Sequence, residues 1–240
     1  MDHYFHDLDK HPKDEYGDYD YETPQALDLG MINDHLKRLL AGEKVMVPKF
    51  DYKAGKRVDN HHEMKLVKGE ILLIDSLHGL YGGMTGDIPN VNKFRLYIET
   101  LLQMRDNEGR YIRWADLRLL RRMTRDKDAR HVEPRFTLEH WRYVRDAELD
   151  HIVPFSNTVD YTVNGSLPYE LPVMKRRWLL AFRAWHAEYA DRADRKDAAE
   201  RAARIHELFE SVEDVSEDQE KDIPPNALMR EFIGGSGYKY

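Results

Sequence analysis

The stretch Glu70-Ile71-Leu72-Leu73-Ile74-Asp75 constrains the fold more than any other part of the sequence. Its consecutive aliphatic side chains leave nothing polar to face water on either side, and an acid closes the run. That pattern predicts a strand buried on both faces of a parallel sheet, with the Asp75 carboxyl in the crevice beyond the strand's carboxyl end. Phe94-Arg95-Leu96-Tyr97-Ile98 predicts a second strand and Val159-Asp160-Tyr161-Thr162-Val163 a weaker third. Between them Trp114 to Met123 is basic and leucine-rich, and Thr137 to Leu149 repeats Leu138, Trp141, Val144, Arg145 and Glu148 along one helical face. Strands alternating with helices predict an α/β fold.

Upstream of the run, Ala26, Leu27, Leu29, Ile32, Leu36, Leu39 and Leu40 recur at near-helical spacing. Thr23 is placed to cap that helix, Pro24 suits its first turn and Gly42 ends it. Met1 to Thr23 carries no period and reads as a loop. Val45 to Pro48 and Phe50 to Tyr52 read as a short extended segment. Ala54-Gly55-Lys56 then turns into the polar stretch Arg57 to His62, where His61 and His62 are a loop feature. Downstream, Pro168 to Tyr189 and Arg192 to Val212 predict two more helices. Residues 211–222 are acidic and predict a mobile connection, and Ile223 to Ile233 predicts a docking helix stopped by Gly234 and Gly235. The expected organisation is an α/β domain over residues 1–189, followed by a C-terminal helix, linker and docking tail over 190–240.

Lys and Arg number 37 against 44 Asp and Glu, a formal charge of −7, which argues against a general polyanion binder and so against nucleic acid. No apolar run reaches the roughly 20 residues a membrane helix needs, and the Met1 end lacks the basic start and apolar core of a secretory leader. With 41% apolar residues the chain can bury one substantial core, while a mean hydropathy of −0.74 implies heavily solvated helices. There is no cysteine, which removes disulfides, thiol nucleophiles and thiolate metal sites. A cytoplasmic protein is expected.

Certain clusters could carry chemistry, and each has a bland alternative. Asp2-His3-Tyr4-Phe5, with His6, Asp7, Asp9 and His11 close behind, suits a single general base at Asp2 better than a metal, since no helical i,i+4 histidine pair is present, or else is a merely solvated His-Asp mixture near a terminus. Asp75 suits magnesium, or a cap for the turn Ser76 to Gly79. Arg118, Arg121, Arg122 and Arg125 share one helical side and suit a phosphoryl anion, or a surface ladder with Asp116, Asp126 and Asp128. Phe50-Asp51-Tyr52 and Glu22 suit stacking on a ring and hydrogen bonding to sugar hydroxyls, or core packing.

Taken in order, these segments resemble the bacterial uridine kinase-like branch of the phosphoribulokinase/uridine kinase family. Asp2-His3-Tyr4-Phe5 resembles its D-x-Y-F/Y segment, Gly17 to Asp28 its substrate-side loop and helix start, and Val47-Pro48-Lys49-Phe50-Asp51-Tyr52 its V-P-x-Y/F-D-F segment. Ile74 to Leu80 resembles the I-E-G-I-H-G-L turn, and Asp116 to Asp126 the arginine-rich D-x-R-L-x-R-R-x-x-R-D lid. Asn164 to Leu171 and the ending from Ile223 to Ser236 are similar to the same branch. The resemblance implies a P-loop NTPase-like parallel sheet with flanking helices and a C-terminal helical extension. It also implies an ATP-dependent nucleoside kinase using ATP and Mg2+. By that resemblance Asp2 would be the general base, Tyr4, Glu22, Phe50 and Arg118 would bind substrate, Asp75 would serve magnesium, and Arg121, Arg125 and Arg130 would act catalytically from the lid.

The sequence departs from the family in one large respect: G-x-x-x-x-G-K-[ST] occurs nowhere, and Gly55-Lys56-Arg57 is the nearest fragment. The expectation is a fold N-terminally incomplete, lacking the phosphate cradle and its strand, with impaired transfer and with self-association or a complementing chain among its consequences. The alternative is a non-catalytic kinase remnant that binds a nucleoside, a nucleotide or a protein partner. Asp75 stands in place of glutamate, Ser76 in place of glycine, Gly55 where related uridine kinases carry a base-reading histidine, and His131 in place of a glycine after the lid.

Overall fold

Thr23 and Pro24 do not start the first long helix. Pro24–Ala26 close a separate 3-10 turn, Leu27 is extended and bridges to Phe5, and helix α1 (Leu29–Leu40) begins only after Asp28. The Asp28 carboxylate accepts the Met31 amide at 2.9 Å, satisfying one of the N–H groups a helix start leaves open. The computed structural model describes residues 1–13 and 19–239, without the side chains of residues 129, 130 and 193. Gly17 and Asp18, quoted above for the substrate-side loop, lie outside the described residues.

The chain divides into two compact units, one of Met1–Tyr97 with Tyr143–Thr162, the other of Ile98–Arg142 with Val163–Tyr240. In the first unit, Gly42 takes a φ of +77° after α1 and the chain reverses into strand β1 (Lys44–Asp51). β1 pairs antiparallel with β2 (Lys56–Lys65), with an irregularity between Val47 and Lys49 around Pro48, which has no N–H to give. His61 and His62 therefore stand on a strand and not in a loop. The polar stretch can do this because the main-chain hydrogen bonds to β1 need no apolar side chains; most of the side chains of β2 are exposed, while Met64 packs on the core and Arg57 reaches Asp28 at 3.0 Å. Val45 and Val47 join Tyr4, Leu27, Ile32, Leu36, Leu39, Met84 and Ile88 in the core of this unit.

The run from Glu70 to Asp75 is extended but joins no sheet among the described residues. Leu72 and Ile74 pack on the core, whereas Ile71 is 92% and Leu73 88% exposed. The expectation of burial on both faces is corrected to burial on one, since packing covers only the side of Leu72 and Ile74. The parallel pair of the α/β fold is β3 (Leu96–Glu99) with β4 (Tyr161–Asn164). The Tyr161 amide donates to the Arg95 carbonyl at 3.2 Å and the Gly165 amide to the Glu99 carbonyl at 2.7 Å, both chains advancing together.

Flanking helices complete a mixed α/β fold with a small parallel sheet: α2 (Trp114–Arg130), α3 (Pro134–His151), α4 (Glu170–Tyr189) and α5 (Lys196–Ser211). In the second unit Leu117, Leu120, Met123, Leu138, Met174, Phe182 and Phe209 are buried, with Phe182 and Phe209 edge to face at 5.8 Å. Of the polar groups inside it, Trp178 Nε1 donates to Thr124 Oγ1 at 2.9 Å, and Arg204 on α5 donates to both oxygens of buried Asp116 on α2 at 2.8 and 2.7 Å.

The acidic stretch after α5 is a built element and not a mobile linker. Ser216 and Gln219 form a capping box for α6 (Glu217–Lys221), and Arg177 grips Glu220 through two hydrogen bonds of 2.6 Å. α7 (Arg230–Ile233) follows and ends at Gly234, φ +81°. Among the described residues no helix is long and apolar enough to cross a membrane.

Candidate active site

In the first unit, the 3-10 turn Asp2–Tyr4 and strand β1 bring Asp2, His3, Phe5, Phe50 and Tyr52 together. Asp2 is exposed, and its carboxylate accepts the Tyr52 hydroxyl at 3.2 Å. His3 Nδ1 accepts the Phe50 amide at 3.3 Å, and burial holds its imidazole below the ordinary histidine range. Phe50 is 3% exposed and lies edge to face with Phe5 at 5.6 Å and with Tyr52 at 5.2 Å. Phe5 in turn meets Tyr21 at 6.3 Å. A carboxylate that can take a proton thus stands at the rim of a nest of flat rings.

Tyr4 is placed elsewhere. It belongs to the core, its hydroxyl meets His35 Nδ1 at 3.0 Å, and burial pushes its pKa up to about 12. The Tyr4 hydroxyl, expected to contact substrate, is thus engaged with His35 inside the core. Glu22 is half-buried, with its amide bonded to the Asp20 carboxylate at 2.9 Å.

Asp75 is exposed at the end of the extended run. Among the described residues no three His, Asp or Glu side chains converge as an all-protein metal cage requires. A single exposed carboxylate fits an ion such as magnesium, which takes one or two carboxylates from a protein and fills its remaining positions with phosphate and water. Three residues on, buried His78 faces His151 with ring centroids 6.1 Å apart, and burial followed by the His151 charge pushes its pKa down to about 4.

In the second unit, α2 presents the arginines, and the fold answers two of them with buried glutamates far away in sequence. Arg118 Nη1 lies 3.5 Å from the Glu99 carboxylate, itself 8% exposed. Arg121 donates through Nε to Glu170 at 2.9 Å, through Nη2 to the other Glu170 oxygen and to the Gly165 carbonyl at 2.7 Å, and its guanidinium sits 5.2 Å from the Phe232 ring. Glu170 is fully buried. Arg121, expected at the transferring phosphoryl group, therefore has Nε and Nη2 bonded to Glu170 and Gly165. The ladder with acids on the same helix is present only in part: Arg122 reaches Asp126 at 3.4 Å, whereas Asp116 is taken by Arg204.

Arg125 is half-buried on α2, and the side chain of Arg130 lies outside the described residues. His131 ends the helix in the left-handed region, φ +55°, where glycine would be unstrained. Glu99 and Glu170 as partners of arginine, and His11 and His78 as buried rings, emerge only in the structure. The apolar neighbours of His78 in Leu77-His78-Gly79-Leu80 were the one local signal. Nothing local marks the glutamates.

A family model described as phosphoribulokinase / uridine kinase matches residues 5–167. A uridine kinase of Halobacterium salinarum is 23% identical over 126 residues, which cover 52% of this chain and 48% of that protein. Uridine kinases of Staphylococcus aureus strains JH9 and Newman are 29% identical over 130 residues, 54% of this chain and 54% of theirs. The chain spans about half the length of the curated relatives it matches.

Proposed function

Because the chain belongs to the phosphoribulokinase/uridine kinase family, we propose that it carries the acceptor side and the arginine helix of an ATP-dependent nucleoside kinase, with uridine as the acceptor. One observation supports this above the others: the exposed Asp2 carboxylate, held by Tyr52, at the rim of the nest formed by Phe5, Tyr21, Phe50 and Tyr52. Asp2 accepts the proton of the acceptor's primary hydroxyl while that oxygen bonds to the γ-phosphorus and the bond from phosphorus to ADP breaks. Phe50 stacks on the acceptor's ring, Glu22 holds sugar hydroxyls, and Arg118 remains a proposed acceptor contact. Arg125 and Arg130 balance charge on the phosphoryl group, while Arg121 sets the seating of α2. Asp75 supplies the carboxylate for magnesium, which when bound would neutralise phosphate charge.

These 240 residues contain no G-x-x-x-x-G-K-[ST], so the chain by itself is proposed to bind uridine and to transfer phosphate slowly. The test pairs calorimetry of uridine binding with label transfer from γ-labelled ATP in the presence of Mg2+. Brisk transfer overturns the claim that a phosphate cradle is lacking, and absence of uridine binding overturns the acceptor reading. The missing motif also favours a second reading, a nucleoside binder without catalysis. Under the kinase reading a slow transfer exceeds the blank and is lost in Asp2→Asn, whereas under the second reading wild type already equals the blank.

A further inference from the structure

We infer that the C-terminal tail is a working part of the arginine helix: Phe232, set against the guanidinium of Arg121, is the positioning residue that fixes how α2 presents its arginines to the phosphoryl group. This rests on the kinase reading above. Within the second unit the edge of the Arg121 guanidinium is already satisfied, since Nε and Nη2 both donate to buried Glu170 and Nη2 donates also to the Gly165 carbonyl. Charge balance therefore asks nothing of the ring whose centre lies 5.2 Å away. What the ring adds is mechanical. A guanidinium bonded along one edge can still tilt out of the plane of its carboxylate, and an aromatic ring set against it, attractive through its quadrupole, opposes that tilt. Arg118 and Arg125 share the helical side of Arg121, so a tilt there is passed on to both.

The tail is built to hold that ring still. Arg230 gathers the main chain around itself: its Nε donates to the Ile223 carbonyl at 3.0 Å, its Nη2 to the carbonyls of Lys221 at 3.2 Å and Glu220 at 3.3 Å, and its Nη1 to that of Gly234 at 3.5 Å. The Gly237 amide closes the loop on the Pro225 carbonyl at 2.7 Å, and Gly235 holds φ +73°, where a Cβ would lie 3.4 Å from Arg230 Nη1. Arg177 on α4 anchors this clip through Glu220. Met229 and Phe232 are the buried side chains of its last turn. The clip is thus fixed from α4 and by its own backbone, and Phe232 acts on α2, against which α7 packs. Misplacing a group that stabilises a transition state by about 1 Å costs about 10²-fold in rate, so a small tilt is enough to matter.

The experiment compares the full 240-residue chain with Phe232→Leu, which keeps an apolar side chain without a ring, and Phe232→Tyr, which keeps the ring. Label transfer from γ-labelled ATP to uridine in the presence of Mg2+ is followed at varied uridine, uridine affinity is read by calorimetry, and the Arg121 Nε–H signal by proton–nitrogen correlation, assigned through its loss in Arg121→Lys. Phe232→Leu is expected to move that signal as the ring current disappears, to lower transfer at saturating uridine about tenfold, and to leave the Michaelis constant and the affinity for uridine within about twofold; Phe232→Tyr restores the signal and most of the transfer. If Phe232→Leu does not fold by far-UV circular dichroism, pentafluorophenylalanine in place of Phe232, which keeps the ring's shape and reverses the charge of its face, is used with the same expected loss of transfer. Transfer unchanged in the ring-altered chain, whether or not the signal moves, or lost equally in Phe232→Tyr, overturns the role of Phe232 and leaves the kinase reading standing. Wild-type transfer equal to the blank overturns both.

Discussion

Replacing Glu170 with alanine tests whether the Arg121 pair holds the second unit together. Glu170 is fully buried and accepts from Arg121 Nε at 2.9 Å, from Arg121 Nη2, and from the Leu167 amide at 2.9 Å. Truncation leaves the guanidinium, whose side chain is 13% exposed, with the Gly165 carbonyl and the face of Phe232. Breaking a buried ion pair from one side costs about 3–5 kcal/mol, because the remaining charge stays desolvated. At about 2–4 °C per kcal/mol for a chain of this size, the melting temperature falls by about 6–20 °C. Urea unfolding followed by circular dichroism, with calorimetry alongside, reads both quantities in wild type, Glu170→Ala, Arg121→Met and the double variant Arg121→Met/Glu170→Leu. The double variant should lie well above the sum of the single losses, since apolar groups of similar volume leave no orphaned charge. A loss under about 1 kcal/mol in Glu170→Ala, or simple additivity in the double variant, refutes the reasoning.

Other outcomes follow from the same geometry. The pKa of His78, lowered from 6.5 to about 4, means that the unfolded chain takes up the proton first. Stability is full above about pH 6.5 and falls as pH drops toward about 4, by up to about 3 kcal/mol. Urea midpoints across that window should flatten in His78→Leu, and an unchanged slope in the variant would count against this titration. Asp2→Asn should cut any measured transfer by about 10²-fold or more while uridine affinity stays within about twofold and the melting temperature is unmoved, since the carboxylate is exposed and acts on the proton. Gly55→Ala should destabilise by about 1–3 kcal/mol through its positive φ and the approach to Leu8, and Leu8→Ala in the same chain should recover part of that loss in thermal unfolding.

Much of the helical frame was legible because a helix is encoded by neighbours three and four residues apart. Pro168 to Tyr189 was expected and Glu170–Tyr189 is found; Arg192 to Val212 was expected and Lys196–Ser211 is found, with Ala198, Ala202, Ile205, Leu208 and Phe209 buried along one face and Val212 half-buried beyond its end. The same local logic misled where pairing, not periodicity, makes the element. Polar Arg57 to His62 became a strand because β1 lay beside it, while the most strand-like run, Ile71 to Ile74, found packing for one face only.

The proposed site divides along the same line. The sequence by itself determined which chemical groups are available: a carboxyl in Asp2-His3-Tyr4-Phe5, rings at Phe50 and Tyr52, and a helix rich in arginine. Only the tertiary structure decided which of them are spent on holding the protein together. Tyr4 went to His35 across 31 residues and Arg121 to Glu170 across 49, while Asp2 kept its carboxylate at the surface. Hydrogen bonds and ion pairs are chosen by distance, and distances between residues so far apart along a chain come into being only when it folds.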